Sequence, residues 1–182
     1  MTTLESLHER ISRCEKCLLC ETRKNAVPGK GNKNAEIMFI GEAPGRNEDL
    51  NGEPFVGSAG KKLNHALENA GLNRNMVYIT NIVKCRPPEN REPNQEEREQ
   101  CRKYLEDEFA LIKPKIICLL GATAYKTILN GSEISKNHGK LVNKDGRNYF
   151  ITFHPAAIIY NQKLAEDFQK DIKKIVEILK EN

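Results

Sequence analysis

The sequence is short of several things, and each shortage excludes a class of protein. It has no run of about 18 apolar residues, so nothing in it reads as a membrane-spanning helix. Its opening, Met1-Thr2-Thr3-Leu4-Glu5, has neither the basic start nor the apolar stretch of a secretory signal. No low-complexity tract and no repeat with a period of about 20–50 residues interrupts it, which argues against linkers and solenoids. Charge of one sign is scarce too: 29 Lys and Arg face 25 Asp and Glu, a net +4, with a pI near 8.7. That balance is compatible with nucleic acid without demanding it. A length of 182 residues suits a single domain over residues 1–182 with a real core. A cytoplasmic protein with no membrane partner is expected. There, six cysteines point to metal or chemistry ahead of disulfides.

What is present is an alternation of strand and helix patterns. Residues 37–40, 77–80, 116–120 and 149–153 are short, almost continuously apolar runs rich in β-branched or aromatic side chains. Strands buried on both faces of a parallel sheet read this way. A short helical pattern over residues 4–11 precedes Cys14. Ala59, Leu63, Ala66, Leu67 and Ala70 share one helical face, with Ser58 placed to cap it and Gly71 to stop it. Asn94 followed by Glu97 resembles a capping box for a helix bearing Cys101, Tyr104, Leu105 and Ile112. Another helix spans residues 122–129 before Asn130-Gly131. The last places Leu164, Phe168, Ile172, Ile175, Val176 and Leu179 at helical spacing. The pattern predicts an α/β fold: a three-layer α/β/α sandwich around a central, mainly parallel four-stranded sheet.

The strand ends are the informative places. The first strand stops at Gly41-Glu42 and releases a loop of Gly, Pro, Ala and carboxylates that runs through Glu48-Asp49 to Pro54-Phe55-Val56-Gly57. A carboxylate at the mouth of a buried strand is costly without a partner or a task. Open α/β sheets bind ligands there. The other strands end at Asn81, at Gly121 and at His154-Pro155, so parallel strands would bring Glu42, Asn81 and His154 to one rim. Gly57-Ser58-Ala59-Gly60-Lys61-Lys62 is not a phosphate-binding loop: the first Gly is missing, and Lys62 stands where Ser or Thr would bind magnesium. His8, His65 and His138 lie in no motif and read as structural. The mixed charges of residues 95–108 read as a solvated helix face. Lys84, Arg86 and Arg91 flank Cys85, either as DNA contacts or simply exposed.

Cys14 and Cys17 form a CxxC pair, which can reach one metal centre easily. Cys85 follows the second strand and Cys101 lies on the helix after it. Neither has a CxxC partner, so the spacing is not that of a zinc ribbon. Zinc on four cysteines and an iron–sulfur cubane both remain open. Cys20 mimics the ferredoxin run, but Lys24 and Asn25 stand where its fourth Cys and Pro belong. Cys118 sits inside an apolar strand and reads as a core thiol.

Taken together, Gly41-Glu42-Ala43-Pro44-Gly45 with Glu48-Asp49, Gly52-x-Pro54-Phe55-Val56-Gly57, Asn81 before Cys85-Arg86-Pro87-Pro88, and His154-Pro155-Ala156-Ala157 resemble the iron–sulfur uracil-DNA glycosylases of family 4. The resemblance covers essentially the whole chain. It implies a monofunctional DNA glycosylase that hydrolyses the N-glycosidic bond of deoxyuridine and starts base-excision repair. The enzyme would act as a monomer on single- or double-stranded uracil-containing DNA. The resemblance implies one structural [4Fe-4S] cluster on Cys14, Cys17, Cys85 and Cys101, in an N-terminal metal-cluster segment of the single domain, and no catalytic divalent metal. Glu42 would position or activate water, and His154 would sit beside O2 of the base. Gly41, Glu48 (near C5), Phe55 (stacking) and Asn81 (reading the base edge) would complete the uracil pocket. Lys61, Pro155, Ala156, Ala157 and Ile158 would face DNA, with Ile158 or Ile159 either a wedge or ordinary core isoleucines after a strand that stops at Pro155. The related family 5 enzymes lack a carboxylate where Glu42 stands. Family members often carry a Pro near Gln162 and vary around Tyr160, so the exit from this loop departs from the pattern. Two other readings use the same residues: a non-catalytic iron–sulfur or zinc-bound nucleic-acid-binding module, and a glycosylase for another damaged base.

Overall fold

The computed structural model describes residues 2–181. All four apolar runs are strands, and two more flank them. In chain order they are β1 (Lys30–Gly31), β2 (Ile37–Gly41), β3 (Tyr78–Asn81), β4 (Ile116–Leu120), β5 (Leu141–Lys144) and β6 (Arg147–Thr152). They form one sheet in the order β1-β3-β2-β4-β6-β5. The inner four are parallel, while β1 and β5 are antiparallel edges. The expected four-stranded sheet is therefore corrected to six strands. The edges escape an apolar-run reading for a physical reason: β1 is two residues long, and β5 is exposed throughout. The β5–β6 hairpin does carry a local signal, Asp145-Gly146, with φ of 52° and 77°. Those are the left-handed conformations a two-residue hairpin turn requires.

The helices are α1 (Leu4–Ser12), α2 (Leu19–Thr22), α3 (Arg46–Asn51), α4 (Ser58–Asn69), α5 (Gln95–Ile112), α6 (Ala122–Leu129), α7 (Ile134–Asn137) and α8 (Gln162–Glu181). Asn94 and Glu97 cap α5 reciprocally, as the sequence predicts. Gly57 takes the N-cap position of α4 and Ser58 becomes its first helical residue, without a side-chain cap bond. At the other end Gly71 adopts φ +78°. The N–H groups of Gly71 and Leu72 bond back to Glu68 and Leu67, closing the helix with a left-handed glycine.

Successive strand residues face opposite sides, and each side has its own core. Met38, Ile40, Ile117 and Leu119 pack under α1, α5 and α6 through Leu7, Ile11, Tyr104, Leu105, Phe109 and Ala124. Ile37, Phe39, Cys118 and Phe150 pack under α4 and α8 through Leu63, Leu67, Phe168, Ile172 and Ile175. Cys118 is a core thiol, fully buried. The α5 surface differs from a simple solvated face: Glu97 and Glu108 are buried, as is Lys84. Among the described residues, no helix is long and apolar enough to cross a membrane.

The topology fixes where a ligand can sit. From β2 the chain moves outward to β3, then crosses back past β2 to β4. Such a reversal opens a crevice beyond the carboxyl ends of the strands.

Candidate active site and thiol cavity

Asn81 closes β3 beside Gly41, its register partner at the end of β2. It is 1% exposed, and its Oδ1 has no hydrogen-bond partner among the described residues. A buried acceptor left unpaired costs about 1–3 kcal/mol, so this atom awaits a donor. Gly41 is the floor beneath it: a Cβ there would fall 2.5 Å from Asn81 Oδ1 and 2.5 Å from Phe55 Cζ. Only glycine lets the amide and the aromatic ring approach the same backbone atom.

Phe55 is held in an uncommon conformation. Its φ is +52°, a region that large side chains rarely occupy. The surrounding structure enforces it. Arg74 donates to the Pro54 carbonyl at 2.6 Å and the Phe55 carbonyl at 2.8 Å, and Gly60 leaves room for that carbonyl against α4. The ring stands 5.6 Å from the His154 ring, tilted by 33°. Strain retained this way is often found where a ligand is gripped.

The four carboxylates of the first loop have separate tasks, and Glu53 pairs with Lys30. Glu48 accepts from the N–H of Gly45 at 3.1 Å through Oε2, and from those of Val56 and Gly57, both at 3.0 Å, through Oε1. It therefore ties the start of the loop to its end. Asp49 accepts from the N–H groups of Lys24 and Asn25 and fastens the N-terminal segment to α3. Glu42, at the mouth of β2, keeps capacity for a ligand. It is half-buried and takes one hydrogen bond among the described residues, from Thr123 Oγ1 to Oε2 at 2.5 Å. Thr123 and Arg74 went unnoticed in the sequence. Thr123 could have been found, because it lies just past the carboxyl end of β4; nothing local marks Arg74.

His154 follows β6. Its Nδ1 accepts the N–H of Ala156 at 3.0 Å, which leaves the neutral ring's proton on Nε2. Burial pulls its pKa down from 6.5 to about 4, against a smaller upward pull from the Glu48 charge. At neutral pH the ring is an uncharged donor. Gly121, at φ +97°, packs against it; a Cβ there would fall 2.8 Å from His154 Cβ.

Of the residues expected to face DNA, Lys61, Ala156 and Ala157 are exposed. Pro155 and Ile158 are buried, and Ile158 belongs to the core beneath α4 and α8. Of the two readings of Ile158, its burial favours core packing. The large exposed group on this turn is Tyr160, 98% exposed. Lys84 is also no surface contact: it pairs with Glu108 inside the protein. His8 bonds the Tyr78 hydroxyl and His138 bonds Asp171, consistent with structural roles.

The thiols gather on the α5 side. Cys14, Cys17, Cys20, Cys85 and Cys101 line one cavity together with Lys16, Arg23, Lys84 and Tyr104. All six cysteines are free. Burial raises the Cys17 and Cys85 pKa values and pushes Cys101 up to about 12. Arg23 Nη1 donates to Cys85 Sγ at 3.0 Å, the kind of bond that favours a thiolate. Among the described residues, no three His, Cys, Asp or Glu close on a single-ion site. The fifth thiol, Cys20, shares the cavity although the sequence reading leaves it spare.

Residues 28–180 match the family described as the uracil DNA glycosylase superfamily. The chain is 46% identical to a type-4 uracil-DNA glycosylase of Archaeoglobus fulgidus, over 98% of this chain and 94% of that one. It is 39% identical to the type-4 uracil-DNA glycosylase of Thermotoga maritima, over 97% and 95%. A type-5 uracil-DNA glycosylase of Pyrobaculum aerophilum is more distant, 32% identical over 74% of this chain and 67% of that one. The match to the first two covers the strand-end rim and the cysteine-bearing segment alike, and the chain belongs to the uracil DNA glycosylase superfamily, among its type-4 members.

Proposed function

We propose that this protein removes uracil from DNA by hydrolysing the N-glycosidic bond of deoxyuridine, the first step of base-excision repair. The observation that carries the proposal is the unpaired, buried Oδ1 of Asn81 beside Gly41 and the Phe55 ring. That acceptor suits N3–H of a uracil stacked on Phe55, with the amide N–H₂ directed at O4. The base cannot reach this depth from within a duplex, so the nucleotide must be flipped out.

In the reaction, water attacks C1′ of the sugar, the C1′–N1 bond breaks, and its electron pair leaves with uracil. Negative charge develops on N1 and O2, where His154 Nε2–H donates. A preorganised donor of this kind accounts for about 3–4 kcal/mol of barrier. Glu42, oriented by Thr123, accepts the proton of the attacking water and faces the positive charge growing on the sugar. Glu48 serves the pocket by shaping the loop that carries Phe55. Lys61 and the exposed Ala156–Ala157 backbone face the DNA strand, single- or double-stranded. One copy supplies every group, so a monomer suffices.

The donor set fits an iron–sulfur centre: five thiols from three separate segments share a cavity with cationic neighbours, one more than a cubane needs. Cys14, Cys17, Cys85 and Cys101 would hold a [4Fe-4S] cluster, which supplies thiolate–iron cross-links when bound. Held by these residues, the cluster would fasten the N-terminal segment, the chain after β3 and α5 into one domain over residues 1–182. Iron-loaded protein is expected to be brown and to release free uracil from a uracil-containing oligonucleotide, leaving an abasic site and an uncut strand. Colourless protein with stoichiometric zinc would overturn the cluster, and no uracil release would overturn the activity.

A further inference from the structure

Only Ile82, Val83 and Lys84 separate Asn81 from Cys85, and Lys84 does not run outward as a lysine before a surface loop would. It is 1% exposed. Its ammonium spends its protons on Thr80 Oγ1 at 2.6 Å, Glu108 Oε2 at 2.7 Å and the main-chain carbonyl of Asn81 at 2.8 Å. That carbonyl needs a partner. The N–H of Ile82 bonds toward β2, so the Asn81 peptide faces the opposite edge, where β1 pairs only with Tyr78 and Ile79. Lys84 supplies the bond that a longer edge strand would have given.

The backbone of Lys84 is anchored as firmly. Its carbonyl accepts the N–H of Val27 at 2.6 Å, on the segment that follows the first cysteines. Glu108 lies on α5, the helix that also carries Cys101, and is fully buried. Its Oε1 accepts from Gly29 N–H and the Tyr78 hydroxyl, and Thr80 bonds both carboxylate oxygens. Every contact of this ion pair therefore lands on β3, on α5 or on the segment leading from the thiol cavity.

We infer that Lys84 is a positioning residue for uracil recognition, holding the Asn81 backbone in register so that its amide meets the base, and coupling that register to the thiol-bearing segment. The inference rests on the base-reading role proposed for Asn81. Removing the ammonium frees the Asn81 carbonyl and lets the amide turn away from the pocket floor.

The test compares iron-loaded wild type, Glu108→Gln, Lys84→Met/Glu108→Gln and Asn81→Ala. The paired variant leaves no unbalanced buried charge, which would otherwise be strongly destabilising. The readouts are iron content, melting temperature and the inhibition constant for free uracil per loaded protein. A purely structural role would lower the first two and leave the third alone. Glu108→Gln leaves Lys84 without its counter-charge and should lower the melting temperature, but it keeps the Lys84–Asn81 bond and, per loaded protein, is expected to hold uracil affinity within about twofold, whereas the paired variant should weaken it about tenfold. If the paired variant does not load iron, Lys84→Met/Glu108→Met, apolar at both ends, gives the same comparison. Unchanged uracil affinity in the loaded paired variant, or failure of both pairs to load iron, overturns the inference. Unchanged affinity in Asn81→Ala overturns the base-reading role and the inference together. Weakening in Asn81→Ala alone overturns only the role of Lys84.

Discussion

His154 should remain uncharged far below the pH at which an ordinary histidine protonates. Burial lowers its pKa from 6.5 to about 4. At about 1.4 kcal/mol per tenfold change in proton affinity, charging this ring costs at most about 3.5 kcal/mol more than charging it in water. The unfolded chain takes up a proton near pH 6.5 that the folded ring refuses until about pH 4. Stability from this group is therefore complete above pH 6.5, falls as pH drops through that window, and levels off below it. The assay is an NMR titration of the ring nitrogens alongside chemical denaturation across the same range. The proton should sit on Nε2, because Nδ1 accepts from Ala156. His154→Ala should slow single-turnover uracil release by roughly 10²–10³, the loss expected for one oxyanion donor. A ring that titrates near pH 6.5, or carries its proton on Nδ1, would refute the assignment of a neutral Nε2 donor.

Three further substitutions probe the pocket frame. Gly41→Ala drives a methyl against Asn81 Oδ1 and the Phe55 ring; uracil inhibition should weaken by about a hundredfold or more while iron content stays unchanged. Glu48→Ala strands the N–H groups of Gly45, Val56 and Gly57, and urea denaturation should register a loss of about 2–4 kcal/mol. Arg74→Met releases the carbonyls of Pro54 and Phe55; Phe55 should relax from its left-handed conformation, raising KM more than it lowers kcat.

The parallel centre of the fold is legible because buried strands and amphipathic helices leave periodic apolar signatures. Residues 116–120 and 122–129 have the boundaries that the pattern gives. Edge strands leave no such trace: β5 is exposed along its whole length. The convergence of Glu42, Asn81 and His154 also followed from sequence, since parallel strands carry their carboxyl ends to one side. What the sequence could not separate was which charged residues keep free hydrogen-bonding capacity and which hold the frame. Glu42 and Glu48 are the same residue type six positions apart, yet one keeps a free oxygen and the other is filled by three backbone N–H groups. Lys84 and Glu108 look like surface charges when read one at a time. Their burial depends on a meeting between the chain after β3 and α5 that no local pattern encodes.

The central claim is that Asn81 reads the uracil edge at the floor of this pocket, and Asn81→Asp tests it most directly. The substitution is nearly isosteric and places an acceptor where an N–H would face O4. The measurement is single-turnover base release by iron-loaded wild type and Asn81→Asp from oligonucleotides bearing uracil or cytosine. Uracil release should fall by about a hundredfold or more, with any new activity appearing on cytosine. Uracil release by Asn81→Asp at the wild-type rate would contradict the claim.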